Sequence, residues 1–336
     1  MSAAPDPARP DRPPTARPRG QGRKLSFGAR LVRTPVVYWL SANAFRAVMG
    51  LARLAGRERA ERGALRLARF IGPKTRENRV AAENIALAFP EKSAAERQAI
   101  LTGAWENFAR VIIEFLFLEE LAAGHDPEHP ESGPITVSGY EHFYALRDDG
   151  KPAIIVAAHL ANWEVLGVVA HKFGLKTVLP FRAPGNIHLA EDLLARREAL
   201  MGTLVENNRG AAFKIAEALD RGDHLGMLVD QRLGHGLDVP FFGRPALTNP
   251  LAARFARQYD CPVHGARAIR RPDGGLHLEL TPPIDLPRDS EGLIDVAAAT
   301  AAINLIVEGW VREHPEQWFW LHDRWRHDKK PVSPPR

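Results

Sequence analysis

The sequence predicts an α/β fold. From about residue 135 onward, short apolar strands alternate with segments of helical periodicity, the order that builds a central sheet flanked by helices. Ahead of that, 78–121 reads as helix with no strand between, and 36–56 is one apolar stretch. The chain therefore divides into a basic tail (1–30), a helical region (31–130) and an α/β domain (131–330). With 336 residues, 45% of them hydrophobic, it can bury a full core for such a domain.

The tail is rich in Pro, Arg and Ala and has almost nothing to bury, so it reads as disordered. It holds no apolar signal-peptide core. Arg9, Arg12, Arg17, Arg19, Arg23, Lys24, Arg30 and Arg33, set against Asp6 and Asp11, supply the whole of the net charge of +5. Such an excess suits an anionic partner: a lipid surface, an acidic protein or nucleic acid. No stretch interleaves aromatic with basic residues as nucleic-acid readers do, so no nucleic-acid partner is expected. The one cysteine, Cys261, excludes an internal disulfide framework. Standing before Pro262 in an apolar run, it reads as a buried structural thiol.

The stretch 36–56 is about as long as a bilayer crossing requires, roughly 20 residues. Arg46 falls near its middle, however, and an arginine at the bilayer centre costs about 3 kcal/mol. Tyr38 and Trp39 are interfacial residue types, and Arg57, Arg59 and Arg62 follow at once. A helix lying in the headgroup plane fits this pattern better than a span, which makes 31–130 a membrane-associated helical region. An ordinary core helix is the plainer reading of the same residues.

Further on, Pro90 interrupts the helical pattern and Ser93-Ala-Ala-Glu96 restarts it as a capping box. In the α/β part, 154–157 is a short buried strand and 163–173 a helix ended by Gly174. Residues 176–179 form another strand, and Ala212, Ile215, Ala216 and Leu219 mark one face of a helix. The stretch 225–229 is a strand ending at Asp230, and 263–269 and 276–280 are strands on either side of a Pro272-Asp-Gly-Gly turn. A last helix, 295–314, is stopped by Pro315.

The chemistry-bearing segment is His159-Leu-Ala-Asn-Trp-Glu164. A buried strand running into Ala158-His159 puts the histidine where the chain leaves the sheet, the end that lines ligand crevices in open α/β folds. Asn162 can cap the helix that follows, with Glu164 in its first turn. Five residues apart on one helix, His159 and Glu164 would diverge by about 140°. They converge only if His159 lies in the loop before it. A histidine is suited to take a proton from a hydroxyl, and a carboxylate on its other nitrogen fixes the tautomer. No serine or cysteine nucleophile stands nearby, so direct transfer to an acceptor hydroxyl is simpler than a covalent intermediate. The spacing is not that of a metal site, where paired ligands on a helix stand four apart, and no metal or cofactor is expected. By spacing alone, a structural pair is the better reading.

The segment resembles the glycerolipid-type acyltransferases, marked by His-x4-Asp/Glu, and more specifically the late acyltransferases of lipid A biosynthesis, the lauroyl/myristoyl family with Glu. The resemblance runs from about Asn78 to Arg326 in five ordered blocks. These are Asn84-Ile-Ala-Leu-Ala-Phe-Pro-Glu91; Ala158 to Glu164; Phe181-Arg182-Ala-Pro-Gly-Asn186; Val229-Asp230-Gln231 with Val239-Pro-Phe-Phe-Gly243 and Thr248; and Pro315-Glu-Gln-Trp-Phe-Trp-Leu-His322 with Arg324 and Trp325. Asp323 departs from the second basic residue often found there, which weakens a phosphate-binding role for that segment.

The resemblance implies a glycerolipid-acyltransferase-like mixed sheet. It also implies transfer of a fatty acyl chain from acyl carrier protein to a hydroxyl of a lipid A precursor, at the cytoplasmic face of the bacterial inner membrane. In that reading His159 is the general base and Glu164 orients it. Arg182, Asn186, Asp230, Gln231 and Arg324 are substrate-binding candidates. Arg182 suits a phosphate or the donor's surroundings, Asp230 orients Arg182 or a substrate hydroxyl, and Gln231 can donate to a developing oxyanion. Trp318 and Trp320 pack or line an acyl pocket. Another glycolipid or phospholipid acceptor is the alternative within the class. A non-catalytic membrane scaffold is the alternative outside it.

Overall fold

A computed structural model describes residues 35–325. The expected disordered tail, 1–30, lies outside them. The first helix, α1 (Pro35–Ala55), ends at Gly56, whose φ of 81° turns the chain into α2 (Arg57–Ile71). After α3 (Arg76–Ala88), Phe89 and Pro90 close the helix. Ser93 then opens α4 (Ala94–Leu116) with both capping-box bonds made: Glu96 N–H donates to Ser93 Oγ, and Ser93 N–H to Glu96 Oε2 at 2.8 Å. The short α5 (Leu118–Ala123) completes the helical region.

The α/β part holds a seven-stranded mixed sheet in the order β1-β9-β8-β2-β5-β3-β4. Its strands are β1 (Ile135–Ser138), β2 (Ile154–Ala157), β3 (Thr177–Phe181), β4 (Thr203–Glu206), β5 (His224–Leu228), β8 (Val263–Arg270) and β9 (Leu276–Pro283). Strands β8, β2, β5, β3 and β4 run parallel, and the antiparallel β8–β9 pair reverses β9 and its parallel neighbour β1. A hairpin of β6 (Arg232–Phe241) and β7 (Arg244–Thr248) stands apart from the sheet.

Being fully covered, β2 reads as a continuous apolar run rather than an alternation. Ile154 and Val156 face a core closed by α9 (Ala211–Asp220), α10 (Leu251–Tyr259) and α11 (Val296–Glu313). Ile155 and Ala157 face the opposite core, closed by α6 (Tyr140–Asp148) and α7 (Glu164–Lys172). Cys261 is buried, as its setting predicts, and burial pushes its thiol up to about 11.

No helix among the described residues is long and apolar enough to cross a membrane. Helix α1 instead exposes Val36, Trp39, Leu40, Val48, Leu51 and Leu54, while Arg46 pairs with Asp192 of α8 (Ile187–Met201) at 2.8 Å.

Candidate active site

The sheet's register assembles the site. In the parallel β2–β5 pair Ala157 stands beside Leu228, so the residues two beyond each strand, His159 and Asp230, emerge side by side. His159 N–H donates to Asp230 Oδ2 at 2.8 Å, and His159 Nδ1 lies 2.7 Å from Oδ1. The carboxylate also accepts from Trp318 Nε1 at 2.7 Å. An ionised carboxylate only accepts, so Nδ1 carries the proton and the Nε2 lone pair faces the Gln231 amide. Burial pushes Asp230 upward. The facing imidazole and the hydrogen bonds from His159 and Trp318 more than offset that and hold it at about 2.

The structure places the Glu164 carboxylate on Arg197, not on the His159 ring it was expected to orient. Glu164 opens α7 as predicted, with its N–H on Asn162 Oδ1 at 3.1 Å, but its carboxylate is taken by Arg197 of α8 in a two-pronged ion pair. The first turn of α7 aims this side chain toward α8, whereas the strand register brings Asp230 onto the imidazole. Asp230 thus touches His159 rather than Arg182. The strand order, which the sequence alone does not display, was the missing signal.

The other candidates divide. Arg182 is exposed and Gln231 lies beside the base; both line a cavity of about 510 Å³ that begins at His159. Gln231 Nε2 stands 3.2 Å from His159 Nε2, so the amide occupies the place an acceptor hydroxyl would need. Asn186 is not in the cavity. It caps α8 by accepting from His188 N–H and donates to Tyr38 O and Ser41 Oγ, tying α8 to α1. Arg324 is fully buried, donating to Leu247 O and Thr248 Oγ1 with its guanidinium over Phe241, and so is out of a substrate's reach. Burial lowers it to about 10, still cationic at neutral pH. Trp318 and Trp320 pack in the core away from the cavity, and the aromatics that line it at the base are Trp163 and Phe319.

From His159 the cavity passes between the sheet and α7. Its sheet wall carries Ala157, Gly226 and Ala266 beside Ile155, Leu228 and Leu278, its helix wall Gly167 and Ala170 beside Leu166, and Leu179 projects between them. A Cβ on Gly226 would lie 2.5 Å from Leu179 Cδ2, and one on Gly167 3.0 Å from Leu179 Cδ1. Small residues on both walls leave room for a narrow apolar chain.

The loop between base and helix is strained. Ala161 has φ 45° and is fully buried, a left-handed conformation costing a non-glycine residue about 1–2 kcal/mol. Its N–H donates to Gln317 O at 2.9 Å, and its carbonyl accepts from Asn107 Nδ2 at 3.3 Å. Phe319 N–H donates to His159 O at 3.0 Å, so the C-terminal segment holds the loop like an extra strand.

Behind the site His322 accepts from Arg232 N–H at 2.9 Å, and burial pushes it down to about 4. Burial also lowers His125, His224 and His264. For such groups the stability is complete above the unfolded value near 6.5 and is lost as pH falls through the folded one. Stability should therefore fall between pH 6.5 and 4, His322 contributing at most about 3 kcal/mol. Urea unfolding at pH 7 and pH 4.5 should show a smaller drop for His322→Gln than for the wild type. An equal drop would remove His322 from the account.

A histidine held by a buried carboxylate thus stands beside a cavity whose lining is more apolar than polar, and the comparisons with known proteins say which family carries this arrangement. The family described as bacterial lipid A biosynthesis acyltransferase matches residues 28–327. The chain is 26% identical over 272 residues to the lipid A biosynthesis palmitoleoyltransferase of Escherichia coli K12, covering 77% of this chain and 81% of that one. It is 26% identical to the lauroyltransferase of the same organism (75% and 79% covered) and 27% to its myristoyltransferase (76% and 77%). With every described residue inside the match, the chain belongs to the bacterial lipid A biosynthesis acyltransferases and is an acyltransferase of that pathway.

Proposed function

We propose that the protein moves a fatty acyl chain from acyl carrier protein to a hydroxyl of a lipid A precursor, with His159 as general base and Asp230 as the carboxylate that holds it. The observation that carries this reading is a base nitrogen, His159 Nε2, at the mouth of an apolar cavity with its other nitrogen on a buried carboxylate. The acceptor hydroxyl displaces the Gln231 amide and gives its proton to Nε2. The oxygen then attacks the thioester carbonyl; the tetrahedral intermediate collapses, and the imidazolium returns the proton to the leaving thiolate. Asp230 stabilises the imidazolium. Glu164 remains beside the base as a cavity-lining carboxylate neutralised by Arg197, and Arg182 at the rim meets the anionic parts of donor or acceptor.

The acyl chain occupies the cavity past Leu179. The exposed apolar residues of α1 seat the protein on the cytoplasmic face of the inner membrane, where acceptor and carrier protein meet. Purified protein with carrier-protein thioesters of graded length and a lipid A precursor tests the reading. The product mass should rise by one acyl group, and no product with any thioester would sink it. In Gly226→Ala the added Cβ drives Leu179 into the channel, so the preferred donor should shorten. Each methylene kept out forfeits about 0.8 kcal/mol, a factor of about four in donor binding. An unchanged chain-length profile would remove the cavity from the acyl path.

A further inference from the structure

A buried charged network lies beneath the strained loop. Glu114 of α4 is 1% exposed, and Arg270 at the end of β8 grips it with two parallel bonds of 2.5 and 2.8 Å. Glu114 Oε2 also accepts from Asn162 Nδ2 at 3.0 Å, and Asn162 belongs to the loop itself. Arg270 Nε reaches Asn107 Oδ1 at 3.4 Å, and Asn107 Nδ2 holds the carbonyls of Ala161 and Gln317. Gln317 closes the ring, accepting from Arg270 N–H at 2.7 Å and donating to Arg270 O at 3.2 Å. The pair thus reaches the turn that carries His159, or the segment alongside it, either directly or through Asn107. Arg57, the first residue of α2, stands 3.9 Å from Glu114 on the network's outer side.

A buried ion pair is a poor source of stability, because desolvating two charges consumes most of their attraction and apolar side chains of similar volume often serve as well. Its contribution is geometric, and the geometry fixed here is that of residues 159–163. We propose that Glu114 and Arg270 are positioning residues for acyl transfer. Through Asn162 and Asn107 they hold the left-handed turn at Ala161 and so aim His159 Nε2 into the cavity. The proposal rests on His159 being the base.

Three variants test it, each read by thermal unfolding and by kcat and KM for both substrates, with His159→Ala alongside. Glu114→Leu/Arg270→Met replaces the pair by apolar groups. It is expected to unfold near the wild-type temperature while kcat falls about 100-fold, as for a misplacement near 1 Å, with both KM values little changed. Asn162→Ala leaves the ion pair intact but cuts its link to the loop, along with the bond from Glu164 N–H, and should lose kcat to a similar degree. Glu114→Gln keeps an oxygen for Asn162 and should retain more activity than either. Wild-type kcat in a folded double variant or in Asn162→Ala, with His159→Ala inactive, would overturn the positioning role and leave the base assignment standing. An active His159→Ala would overturn the base assignment instead.

Discussion

His159→Ala is expected to abolish acyl transfer while leaving the fold in place. The side chain sits on a loop at the cavity mouth and contributes nothing to either hydrophobic core, so its loss opens no core void. What disappears is the proton acceptor, and general acid–base assistance is typically worth about 10²–10⁴ in rate. Asp230 keeps the backbone N–H of residue 159 and the Trp318 indole, so the buried carboxylate is not stranded. Mass-spectrometric turnover on the purified variant, with a thermal unfolding curve to show that it folds, checks this. Turnover near wild type would end the mechanism.

The second large effect is expected at Asp230, with Glu164 as its control. In Asp230→Asn an amide N–H₂ can face Nδ1, which moves the ring proton to Nε2 and leaves no base toward the cavity. A loss of about 10²–10⁴ in kcat is expected. Glu164→Gln does not touch the imidazole, and its effect should be smaller and pass through Arg197 and α8. Because Asp230 is held at about 2, its own titration should leave no acid limb in kcat/KM above pH 4. A larger kcat loss in Glu164→Gln than in Asp230→Asn would return the orienting role to Glu164.

Much of this site was legible in residue order. The strand before Ala158, the helix opened by Glu164 and the histidine in the loop between them follow from a buried apolar run, an asparagine that accepts from Glu164 N–H, and a histidine at a sheet exit. The capping box at Ser93 was equally local, and both of its bonds are formed. What failed to show depends on neighbours distant in sequence. Asp230 was visible as a strand end, but nothing in its surroundings says that β5 lies next to β2. Arg324, Asn186 and Trp318 carry the residue types of binding groups, and only packing separates a guanidinium sealed under the β6–β7 hairpin from one open to substrate. The left-handed turn at Ala161 has no local signature either, since alanine is not the residue that favours it. It exists because Asn107 and Gln317 hold it.

The β2–β5 register has a consequence for how the protein comes to be active. His159 and Asp230 are 71 residues apart, and Trp318 a further 88 from Asp230. No hairpin, helix or other locally formed piece can hold even two of the three. Parallel pairing of this span is slow, because the entropy of closing the intervening loop is lost before the contact returns anything. Burying the Asp230 carboxylate is likewise unfavourable until its partners arrive. The arrangement therefore waits on long-range pairings of the chain. A nascent or partly unfolded copy, even with α1 and α2 formed, does not yet hold His159, Asp230 and Trp318 together.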